Sequence, residues 1–394
     1  MRLNTLRNPK QLLNKRVLVR IDANVPIRRG QVVDGPQGKI ARAAVDLEWL
    51  RQHGAKLVIL THLGRPNGKR TPAYSVAPIA KRLSGLLGVP VKLCRDVVGA
   101  KAEKMVSVMQ SGEAVLLENV RFHAGEEQNS RAFARQLATL GDLYINDAFA
   151  VSHRAHASVD AITEELPSYA GPLLVREVNL LHSLHAAVRH PFLLIMGGLK
   201  ISTKLPVLEQ FLPHVEAVFI GGALAQTFLV AQGKEIGRSV YDKEGVSIAR
   251  SLLERWGQKI RLPQDVYVAR RMSSQAKLHL VSVEEIDAKD YVVDVGRRTM
   301  RTYVRAIQRA KTIVWNGPFG YCEIPKFCSS TYLLARAIAA RTGKAKTIVG
   351  GGDTIPILEA AHLAEHFTLM STGGGAMLEF LAGGELPGVE ALKK

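Results

Sequence analysis

The sequence predicts an α/β protein built from two doubly wound, parallel-sheet (Rossmann-like) lobes, and three observations support this fold class. Short β-rich runs alternate with longer helical stretches along the chain, which is typical of βαβ units. Several of these runs are continuously apolar, as parallel strands covered on both faces should be. The length of 394 residues suggests two or three domains.

Strands are predicted in both halves of the chain, and the residues that follow them differ between the halves. The predicted strands are residues 17–21, 57–60, 114–117, 142–145, 192–196, 217–220, 265–268, 291–295, 312–315 and 347–349. Polar residues such as Asp22, Asn24, His62 and Arg65 follow the strands of the first half, whereas glycines follow those of the second. Because ligands of open α/β sheets bind beyond the carboxyl ends of the strands, we expect two lobes with different ligands.

The predicted domain boundaries follow from the same pattern. We expect a first lobe over residues 1–171, a helix over 172–189 that joins the lobes, a second lobe over 190–376 and a tail over 377–394. The helix is predicted by apolar residues at helical spacing between Leu173 and Val188. The uncharged run 217–233 is interpreted as a strand, a glycine turn and a half-buried helix rather than a membrane span.

The chain is strongly basic, with 53 Lys and Arg against 35 Asp and Glu and a formal net charge of +18. The excess is spread over both halves, and a field of this sign favours anionic partners. Nucleic-acid binding as the main function is disfavoured because aromatic residues are only 6% of the chain and leave few platforms for base stacking.

The cysteine content and the first residues bear on the compartment. Cys94, Cys322 and Cys328 are too few for a disulfide framework, and the spacing of the last two does not match a zinc pair. A reducing compartment is therefore expected. The first residues contain no apolar run, so no secretory signal is expected.

Two glycine triplets, Gly350–Gly352 and Gly373–Gly375, each follow an apolar run and precede a predicted helix, at 355–361 and 376–381. Free N–H groups at a helix start, with no Cβ in the way, suit an anion. For one triplet a tight turn explains the glycines equally well, whereas two triplets favour anion binding.

Charged side chains close to these glycines could complete a polyphosphate site. Lys200 and Lys204 are predicted to share one helix face by their i,i+4 spacing, although a solvated basic face is the alternative. Asp353 could hold Mg²⁺ together with phosphates and water, and Glu323 could do the same or bind ribose hydroxyls.

Arginines and histidines at the strand ends of the first half suggest a pocket for a small anion. They are Arg65, Arg121, Arg154, His62, His123, His153 and His156. Arginine forks bind carboxylate and phosphate through two hydrogen bonds. For the histidines, a hydrogen-bonding role in the core is the alternative to ligand contact.

These motifs together resemble the phosphoglycerate kinase family from about Lys15 to Leu392. In the first half the resemblance rests on RIDANVP (20–26), THLGRPNG (61–68), LLENVRFHAGEE (116–127) and INDAFAVSHRAHAS (145–158). In the second half it rests on GGLKISTK (197–204), IGGALAQTFL (220–229), WNGPFGYCE (315–323), GGGDT (350–354), STGGGA (371–376) and LPGVEAL (386–392).

The resemblance implies two α/β lobes joined by a helix, with the tail returning to the first lobe, and a phosphotransferase of glycolysis and gluconeogenesis. Its reaction would be reversible phosphoryl transfer between ATP and the carboxylate of 3-phosphoglycerate, giving ADP and 1,3-bisphosphoglycerate, with Mg²⁺. The resemblance also implies a monomer in the cytoplasm, with no membrane partner and no specific nucleic-acid partner.

The resemblance also assigns roles to residues of this sequence. The implied substrate-binding residues are Asp22, Asn24, Lys39, His62, Arg65, Arg121 and Arg154. The implied nucleotide-binding residues are Lys200, Lys204, Gly296, Asn316, Glu323, Gly351, Gly352, Asp353 and Thr354, with Asp353 also at the metal. The implied catalytic residues are Lys39, Lys200, Gly352 and Gly375.

The sequence departs from the family pattern at several of these positions. Lys39 falls where the family has a catalytic Arg, and Arg42 is a second candidate for that role because the preceding loop is longer. Thr203 replaces an Asp, and Arg297-Arg298 add charge beside the implied nucleoside site. A related protein with weakened or altered activity is therefore the second hypothesis, and a basic nucleic-acid-binding protein is the third.

Overall fold

The computed structural model describes residues 1–186 and 188–394, and the chain divides into two compact units. Unit 1 comprises Met1–His182 together with Glu385–Lys394, and unit 2 comprises Ser183–Gly384. The division therefore differs from the predicted boundaries. It falls inside the helix that was expected to join the lobes, and the returning segment begins at Glu385 rather than at residue 377.

The chain forms seventeen strands and fourteen α-helices within the described residues. The strands are β1 (Arg16–Arg20), β2 (Ile27–Arg28), β3 (Gln31–Val32), β4 (Lys56–Leu60), β5 (Val91–Cys94), β6 (Ala114–Leu117), β7 (Leu143–Asn146), β8 (Ser168–Ala170), β9 (Phe192–Met196), β10 (Ala217–Ile220), β11 (Ile260–Arg261), β12 (Asp265–Ala269), β13 (His279–Ser282), β14 (Tyr291–Val295), β15 (Thr312–Asn316), β16 (Lys346–Gly350) and β17 (Leu369–Ser371). The helices are α1 (Lys39–Gln52), α2 (Ala77–Leu87), α3 (Ala100–Ser107), α4 (Ala124–Glu127), α5 (Arg131–Ala138), α6 (Pro172–Ala186), α7 (Leu205–Phe211), α8 (Gly222–Ala231), α9 (Val246–Trp256), α10 (Arg297–Arg309), α11 (Ser329–Ala339), α12 (Ile355–Ala360), α13 (Gly374–Leu381) and α14 (Pro387–Glu390).

Each unit is built on a six-stranded parallel sheet. The strand order is β5-β6-β4-β1-β7-β8 in unit 1 and β11-β10-β9-β15-β16-β17 in unit 2. Counted by their appearance in the chain, the strands of unit 2 follow the order 3-2-1-4-5-6 that is typical of dinucleotide-binding folds. The predicted fold class, α/β with two doubly wound lobes, is confirmed.

The parallel sheet of unit 1 is covered on both faces, which explains the continuously apolar strands. Along β1, Val17 and Val19 pack into one buried cluster and Leu18 packs into another on the opposite side. Successive side chains of a strand alternate between faces, so both faces must be apolar where both are covered.

All ten predicted strands are present, but two of them do not belong to a parallel sheet. β12 and β14 pair antiparallel with each other, and with β13 they form a separate three-stranded sheet in unit 2. Their apolar runs look like those of parallel strands because both faces of this small sheet carry apolar clusters, with Val266 and Val268 in one and Ala269 and Val293 in the other. The uncharged run 217–233 forms β10 and α8, as expected.

The segment that returns to unit 1 pairs with the first residues of the chain. Leu3 forms an antiparallel bridge with Lys393, and the amide of Asn4 donates to the carbonyl of Leu392 at 2.8 Å. The Gly388 carbonyl accepts a hydrogen bond from Asn146 Nδ2 at 3.3 Å. Glu385–Lys394 is thus hydrogen-bonded into unit 1.

The helix predicted over 172–189 is shorter in the structure. It spans Pro172–Ala186, residue 187 lies outside the described residues, and Val188 and Arg189 are not helical. None of the helices within the described ranges is both long enough and apolar enough to cross a membrane.

The cysteines do not match the expectation of reduced thiols. Cys322 and Cys328 form a disulfide with their Cα atoms 4.6 Å apart, whereas Cys94 is a buried free thiol. A 3₁₀ turn at Pro325–Phe327 lies between the two bonded cysteines and brings them together. The two cysteines are six residues apart, and this spacing alone does not predict a disulfide because the pairing depends on the turn between them.

Candidate active site

The predicted substrate residues of unit 1 follow strands that meet where the order of its sheet reverses. β1 lies between β4 and β7, so the chain leaves β1 toward one side of the sheet and later crosses from β6 to β7 on the other side. A crevice opens beyond the strand ends at such a point. Asp22 and Asn24 follow β1, while His62 and Arg65 follow β4.

Asp22 and Asn24 tie the loop after β1 to its neighbours. Asp22 Oδ1 accepts the amide of Asn24 at 3.1 Å, and Asn24 Oδ1 accepts the amide of Gly64 at 3.0 Å. Asp22 is 8% exposed, and its Oδ2 lies 2.6 Å from Lys39 Nζ. A nearly buried carboxylate requires such a cationic partner.

Lys39 and Arg42 are placed differently, although both lie in the first turn of α1. Lys39 is its first residue and reaches Asp22, and its positive charge contributes to lowering the pKa of His62. Arg42 lies 4.0 Å from Glu177 of α6. The geometry therefore brings Lys39 to the pocket, the position that the resemblance implies for it.

A buried arginine orients His62. Arg20, which is 0% exposed, donates from Nη2 to His62 Nδ1 at 3.1 Å. Because a guanidinium has no acceptor, His62 Nδ1 must be unprotonated, and the ring proton lies on Nε2. Burial, followed by the charges of Arg20, Arg121 and Lys39, lowers the pKa of His62 well below its ordinary value. His62 is therefore a neutral donor.

Arg20 is itself held by two residues that sequence reasoning did not select. Its Nε donates to Ser158 Oγ at 3.0 Å, and this hydroxyl donates to Glu126 Oε1 at 2.7 Å. Glu126 is 0% exposed and also accepts the Ser158 amide at 2.9 Å. The hydroxyl thus links a buried cation to a buried anion. Glu126 and Ser158 lie inside the long first-half motifs, which was the only signal available.

The predicted arginines differ in burial. Arg121 is 4% exposed and donates from Nη1 to the Gly64 carbonyl at 2.8 Å. Burial and the nearby guanidiniums of Arg20 and Arg154 lower its pKa to about 10, against the opposing effect of Glu127. Arg154 is half-buried and donates to His153 Nε2 at 3.2 Å. Arg65 is exposed, and within the described residues its side chain forms no hydrogen bond.

Of the remaining histidines, His153 and His156 lie near the arginines of the pocket, whereas His123 packs within the fold. Burial and the charges of Arg121, Arg20 and Arg154 lower the pKa of His156 to about 3. His153 has its pKa lowered by burial and by Arg154. His123 instead accepts the Gly125 amide at 3.1 Å and stacks on Phe133, with ring centroids 3.9 Å apart, so its role is structural. The pocket of unit 1 therefore combines cationic arginines with neutral histidines, an environment suited to an anion.

The glycines of unit 2 lie at the corresponding point of its sheet, because β9 lies between β10 and β15. The loops after these three strands approach closely. The amide of Gly197 donates to the Asn316 carbonyl at 2.8 Å, and that of Gly222 donates to Phe319 at 3.0 Å. A Cβ at Gly197 would collide with the Pro318 carbonyl, so only glycine fits there.

The two glycine triplets lie side by side, because β16 and β17 are neighbours in register, with Gly350 opposite Ser371. A Cβ on Gly374 would lie 3.0 Å from the Gly351 Cα. Gly351 has φ +121°, which side chains rarely adopt, whereas Gly352 and Gly375 are exposed. The predicted helices follow as α12 and α13.

Asn316 and Thr354 fix this arrangement. Asn316 Nδ2 donates to the Gly350 carbonyl at 3.0 Å, and Thr354 Oγ1 accepts the Gly317 amide at 3.1 Å. Both side chains are buried. These two hydrogen bonds hold the glycine loops in place. The resemblance implies that the same two residues also contact the nucleotide.

The prediction that Lys200 and Lys204 share a helix face is wrong. Both precede α7, which begins at Leu205 with Pro206 in its first turn. The proline ring would clash with the carbonyl four residues earlier, so the helix cannot extend back to Lys200. Lys200 is exposed, whereas Lys204 is 8% exposed, and its burial lowers its pKa against the opposing charge of Asp353.

The carboxylate expected at the metal is compatible with Mg²⁺ bound mainly through phosphates. Asp353 is exposed next to Gly352 and is close enough to Lys204 to influence its pKa. Among residues 1–186 and 188–394 no group of three His, Cys, Asp or Glu residues could hold a metal ion alone. Mg²⁺ usually takes one or two carboxylates together with phosphates and water, and a single Asp fits that donor set.

Gly296 and Glu323 are the residues that the resemblance implies at the nucleoside. Gly296 precedes α10, and the Asp265 carboxylate accepts the amides of Arg298 and Thr299 at 2.9 and 2.8 Å. A Cβ on Gly296 would collide with that carboxylate, which gives this glycine a structural reason. Glu323 is exposed beside the Cys322–Cys328 disulfide.

One unit thus carries arginines and neutral histidines after its strands, and the other carries adjacent glycine loops, each at the reversal point of a doubly wound sheet. This combination defines a two-domain α/β phosphotransferase.

Comparison with known proteins specifies the family. The family model described as phosphoglycerate kinase matches residues 8–384. The phosphoglycerate kinase of Thermomicrobium roseum is 45% identical over 381 residues, which cover 96% of both chains, and that of Moorella thermoacetica is 43% identical over 385 residues, covering 97% of both. The chain belongs to the phosphoglycerate kinase family, and nothing in the comparisons favours the two alternative hypotheses.

Solved structures of phosphoglycerate kinases share the fold of this chain. The phosphoglycerate kinase of Coxiella burnetii superimposes with a TM-score of 0.82 at 38% identity, and that of Pyrococcus horikoshii with 0.84 at 30%. Both alignments cover 97% of this chain and 96% of the other.

Proposed function

We propose that the chain transfers a phosphoryl group reversibly between ATP and the carboxylate of 3-phosphoglycerate, giving ADP and 1,3-bisphosphoglycerate. The observation that carries this proposal is that arginines follow the strands of one sheet and bare glycine loops follow those of the other, each at the reversal point of its own sheet. Arginine forks suit a compact phosphorylated acid, whereas bare amides beside lysines suit a polyphosphate.

In unit 1 the acid binds through residues of unequal burial. Asp22 and Asn24 contact the glycerate end, and neutral His62 donates from Nε2. Arg121 and Arg154 hold the phosphate, and exposed Arg65 joins them when the ligand is present. The support for these roles is the positive charge concentrated around a pocket whose loops are fixed by Asn24 and Arg121.

In unit 2 the nucleotide phosphates bind at the adjacent glycine triplets. Exposed Gly352 and Gly375 offer amides, while Asn316, Gly351 and Thr354 keep the loops in place. Lys204 neutralises nucleotide phosphate, Lys200 stabilises the group in transfer, and Gly296 and Glu323 contact the nucleoside.

Asp353 is the residue we propose to hold the Mg²⁺ of the nucleotide complex. When bound, Mg²⁺ neutralises charge on the phosphate oxygens. The Asp353 carboxylate lies close enough to Lys204 for the two opposite charges to interact.

The chemical step requires positioning and charge neutralisation rather than covalent help from the protein. A carboxylate oxygen of the acid forms a bond to the γ-phosphorus while the bond from that phosphorus to the bridging oxygen of ADP breaks. The attacking carboxylate is already ionised, so no general base is needed. Lys39 stabilises the charge on the transferring group, and Asp22 keeps its ammonium at the pocket.

The test is the 3-phosphoglycerate-dependent consumption of ATP by the purified protein, with and without Mg²⁺. We expect turnover in the parent and a loss in Lys39→Ala, because arginines in this role are worth about 10³–10⁵ in rate and a lysine recovers part of that. Lys39→Arg should equal or exceed the parent, because the fork contacts phosphate through two hydrogen bonds.

Arg42→Ala and Arg131→Ala are the controls. Arg131 is an exposed residue of α5 that pairs with Glu164 and contacts none of the pocket residues named above, so its loss should leave turnover unchanged. If Arg42→Ala abolished turnover while Lys39→Ala did not, the assignment of Lys39 would be wrong. No turnover in the parent would favour a related protein with altered activity.

We further propose that the enzyme is a cytoplasmic monomer that acts in glycolysis and gluconeogenesis. The support is the family, together with parallel sheets whose faces are covered within each unit. Light scattering on the purified chain should give a mass near 43.1 kDa. Cell fractionation should place the activity in the cytoplasmic fraction.

A further inference from the structure

A row of arginines lies along one face of α10 in unit 2. Arg298, Arg301, Arg305 and Arg309 follow one another at spacings of three, four and four residues. At 100° per residue they fall within about 80° of the helix circumference, and at 1.5 Å per residue they extend over about 16 Å. We call these four residues the arginine stripe.

No carboxylate of α10 neutralises the positive charge of the arginine stripe. All four side chains are exposed, and α10 contains no acidic residue. Within the described part of the chain, none of the four forms an ion pair. Other arginines do pair with a carboxylate, namely Arg16, Arg51, Arg131, Arg135 and Arg270. Neighbouring Arg297 is also exposed, and its Nε donates to Tyr267 Oη at 2.7 Å.

The opposite face of α10 fixes the stripe on a rigid support. Met300, Tyr303 and Ile307 are buried in the core of unit 2, and Tyr303 Oη donates to the Arg261 carbonyl at 2.6 Å. The apolar side of the helix is thus used inside the protein. The exposed positions between the arginines are Thr302 and Gln308, so this face has no apolar side chain to insert into a membrane.

We propose that the arginine stripe binds the phosphate backbone of double-stranded nucleic acid without reading its sequence. A duplex carries one phosphate on each strand per 3.4 Å of its axis, so phosphates lie within reach along the whole stripe of about 16 Å. Guanidinium forks match phosphate oxygens. The face has no aromatic side chain on which unpaired bases could stack, which favours a duplex over a single strand.

This binding is additional to the proposed kinase reaction and does not depend on it. The stripe would also account for part of the +18 charge, which the substrate pockets alone do not require. The positive field of the arginine stripe raises association rates at low salt, and this effect is lost when the arginines are replaced by neutral residues.

The experiment measures the affinity of the full chain for a fluorescent 20-base-pair duplex of random sequence over a series of KCl concentrations. The test variant is the triple substitution Arg301→Gln, Arg305→Gln, Arg309→Gln. Each phosphate contact contributes about 0.9 to the slope of log affinity against log salt, so we expect the slope to fall in magnitude by between about 2 and 3. Arg298 stays intact because it lies beside Gly296.

A charge-matched control separates the stripe from the overall charge. Arg95→Gln, Arg131→Gln, Arg135→Gln removes three exposed arginines of unit 1, two of which pair with Glu164 and Glu165. We expect this variant to keep the parental slope. Circular dichroism and thermal unfolding of both triple variants show whether they are folded, and neither variant touches a residue placed at the two anion sites.

Three results would overturn the proposal. The first is an equal fall in slope for the two triple variants, which would assign binding to net charge alone. The second is an absence of duplex binding by the parent at 25 mM KCl. The third is stripe-dependent binding to vesicles of anionic phospholipid that exceeds binding to the duplex, which would assign the stripe to a membrane.

Discussion

At the scale of single residues, the pocket of unit 1 shows how a buried arginine can set the protonation of a histidine. Arg20 can only donate, so it forces the acceptor form at His62 Nδ1 and leaves Nε2 as a donor. Glu126 balances the buried charge through the Ser158 hydroxyl. Three fully buried residues thus decide what His62 can offer an anion.

The state of His62 can be measured directly. We expect ¹⁵N NMR to show a neutral ring with its proton on Nε2 throughout pH 5 to 8, because burial and the surrounding cations lower the pKa well below the ordinary value. His62→Gln identifies the signal by removing it. Titration of that signal with a midpoint near pH 6.5 would contradict the prediction.

The pH dependence of stability follows from His156. Its pKa is about 3 in the folded protein and about 6.5 when unfolded, so the folded state favours the neutral ring. The stabilisation is present above pH 6.5 and is lost as the pH falls from there toward 3.

Urea unfolding between pH 7.5 and 4.5 tests this prediction. Over the window below pH 6.5, the parent should lose up to about 1.4 kcal/mol of unfolding free energy per pH unit through this group. His156→Gln should show a shallower dependence. Parallel curves for the two proteins would show that His156 is not responsible.

At the scale of elements, the paired glycine triplets separate a structural glycine from a ligand-facing one. Gly351 needs φ +121° and lies against Gly374, whereas a Cβ on Gly352 would meet no atom within 4 Å. Gly351→Ala should therefore lower the unfolding free energy by about 1–3 kcal/mol.

Gly352→Ala is the matched comparison for Gly351→Ala. It should leave the unfolding free energy nearly unchanged while weakening nucleotide binding, because a methyl group would intrude where amides face the phosphates. Denaturation and calorimetric titration with ADP measure the two effects. Equal destabilisation by both substitutions would contradict this distinction.

The elements that sequence predicted well are those whose signal is local. β6, β9, β10 and β14 begin and end where their apolar runs do. The pairing of β12 with β14 could not be foreseen, because strand direction depends on contacts between distant segments. β5 was missed because it has only four residues and is interrupted by exposed Lys92 at the sheet edge. Lys200 was misplaced because the effect of Pro206 was not weighed.

The site was predictable to a similar extent. Residues that follow strands were found because the ends of parallel strands meet at one edge of a sheet. Glu126, Ser158 and Asp265 were not found, since each acts on a group far away in sequence, namely Arg20 or the start of α10. A disulfide between Cys322 and Cys328 depends equally on a turn that has no strong sequence signal.

At the scale of the whole molecule, unit 1 is completed by a segment that lies beyond unit 2 in the chain. Gly388 packs tightly against the rest of unit 1, and a Cβ there would collide with the Val159 side chain. Its amide donates to the Ser152 carbonyl at 2.9 Å. A bulkier residue should therefore loosen the returning segment.

Gly388→Ala tests the importance of that contact. Overpacking of this kind costs about 1–3 kcal/mol, and we expect faster hydrogen exchange at the amides of Asn4 and Gly388 while the exchange of β9 and β15 stays unchanged. Gly85→Ala, in α2 with no atom near the added methyl, should leave exchange as in the parent. Uniform acceleration across both sheets would show that the effect is not confined to unit 1.

The return of Glu385–Lys394 to unit 1 has a consequence for synthesis of the chain. On a ribosome, residues 183–384 emerge before the segment that pairs with Leu3 and Asn4 has been made. Residues 1–182 therefore lack this pairing segment while residues 183–384 are translated, and they gain it only after residues 385–394 have been made. The speed of translation over residues 183–394 would thus set how long the nascent chain exposes the unpaired edge at Leu3 and Asn4 to chaperones.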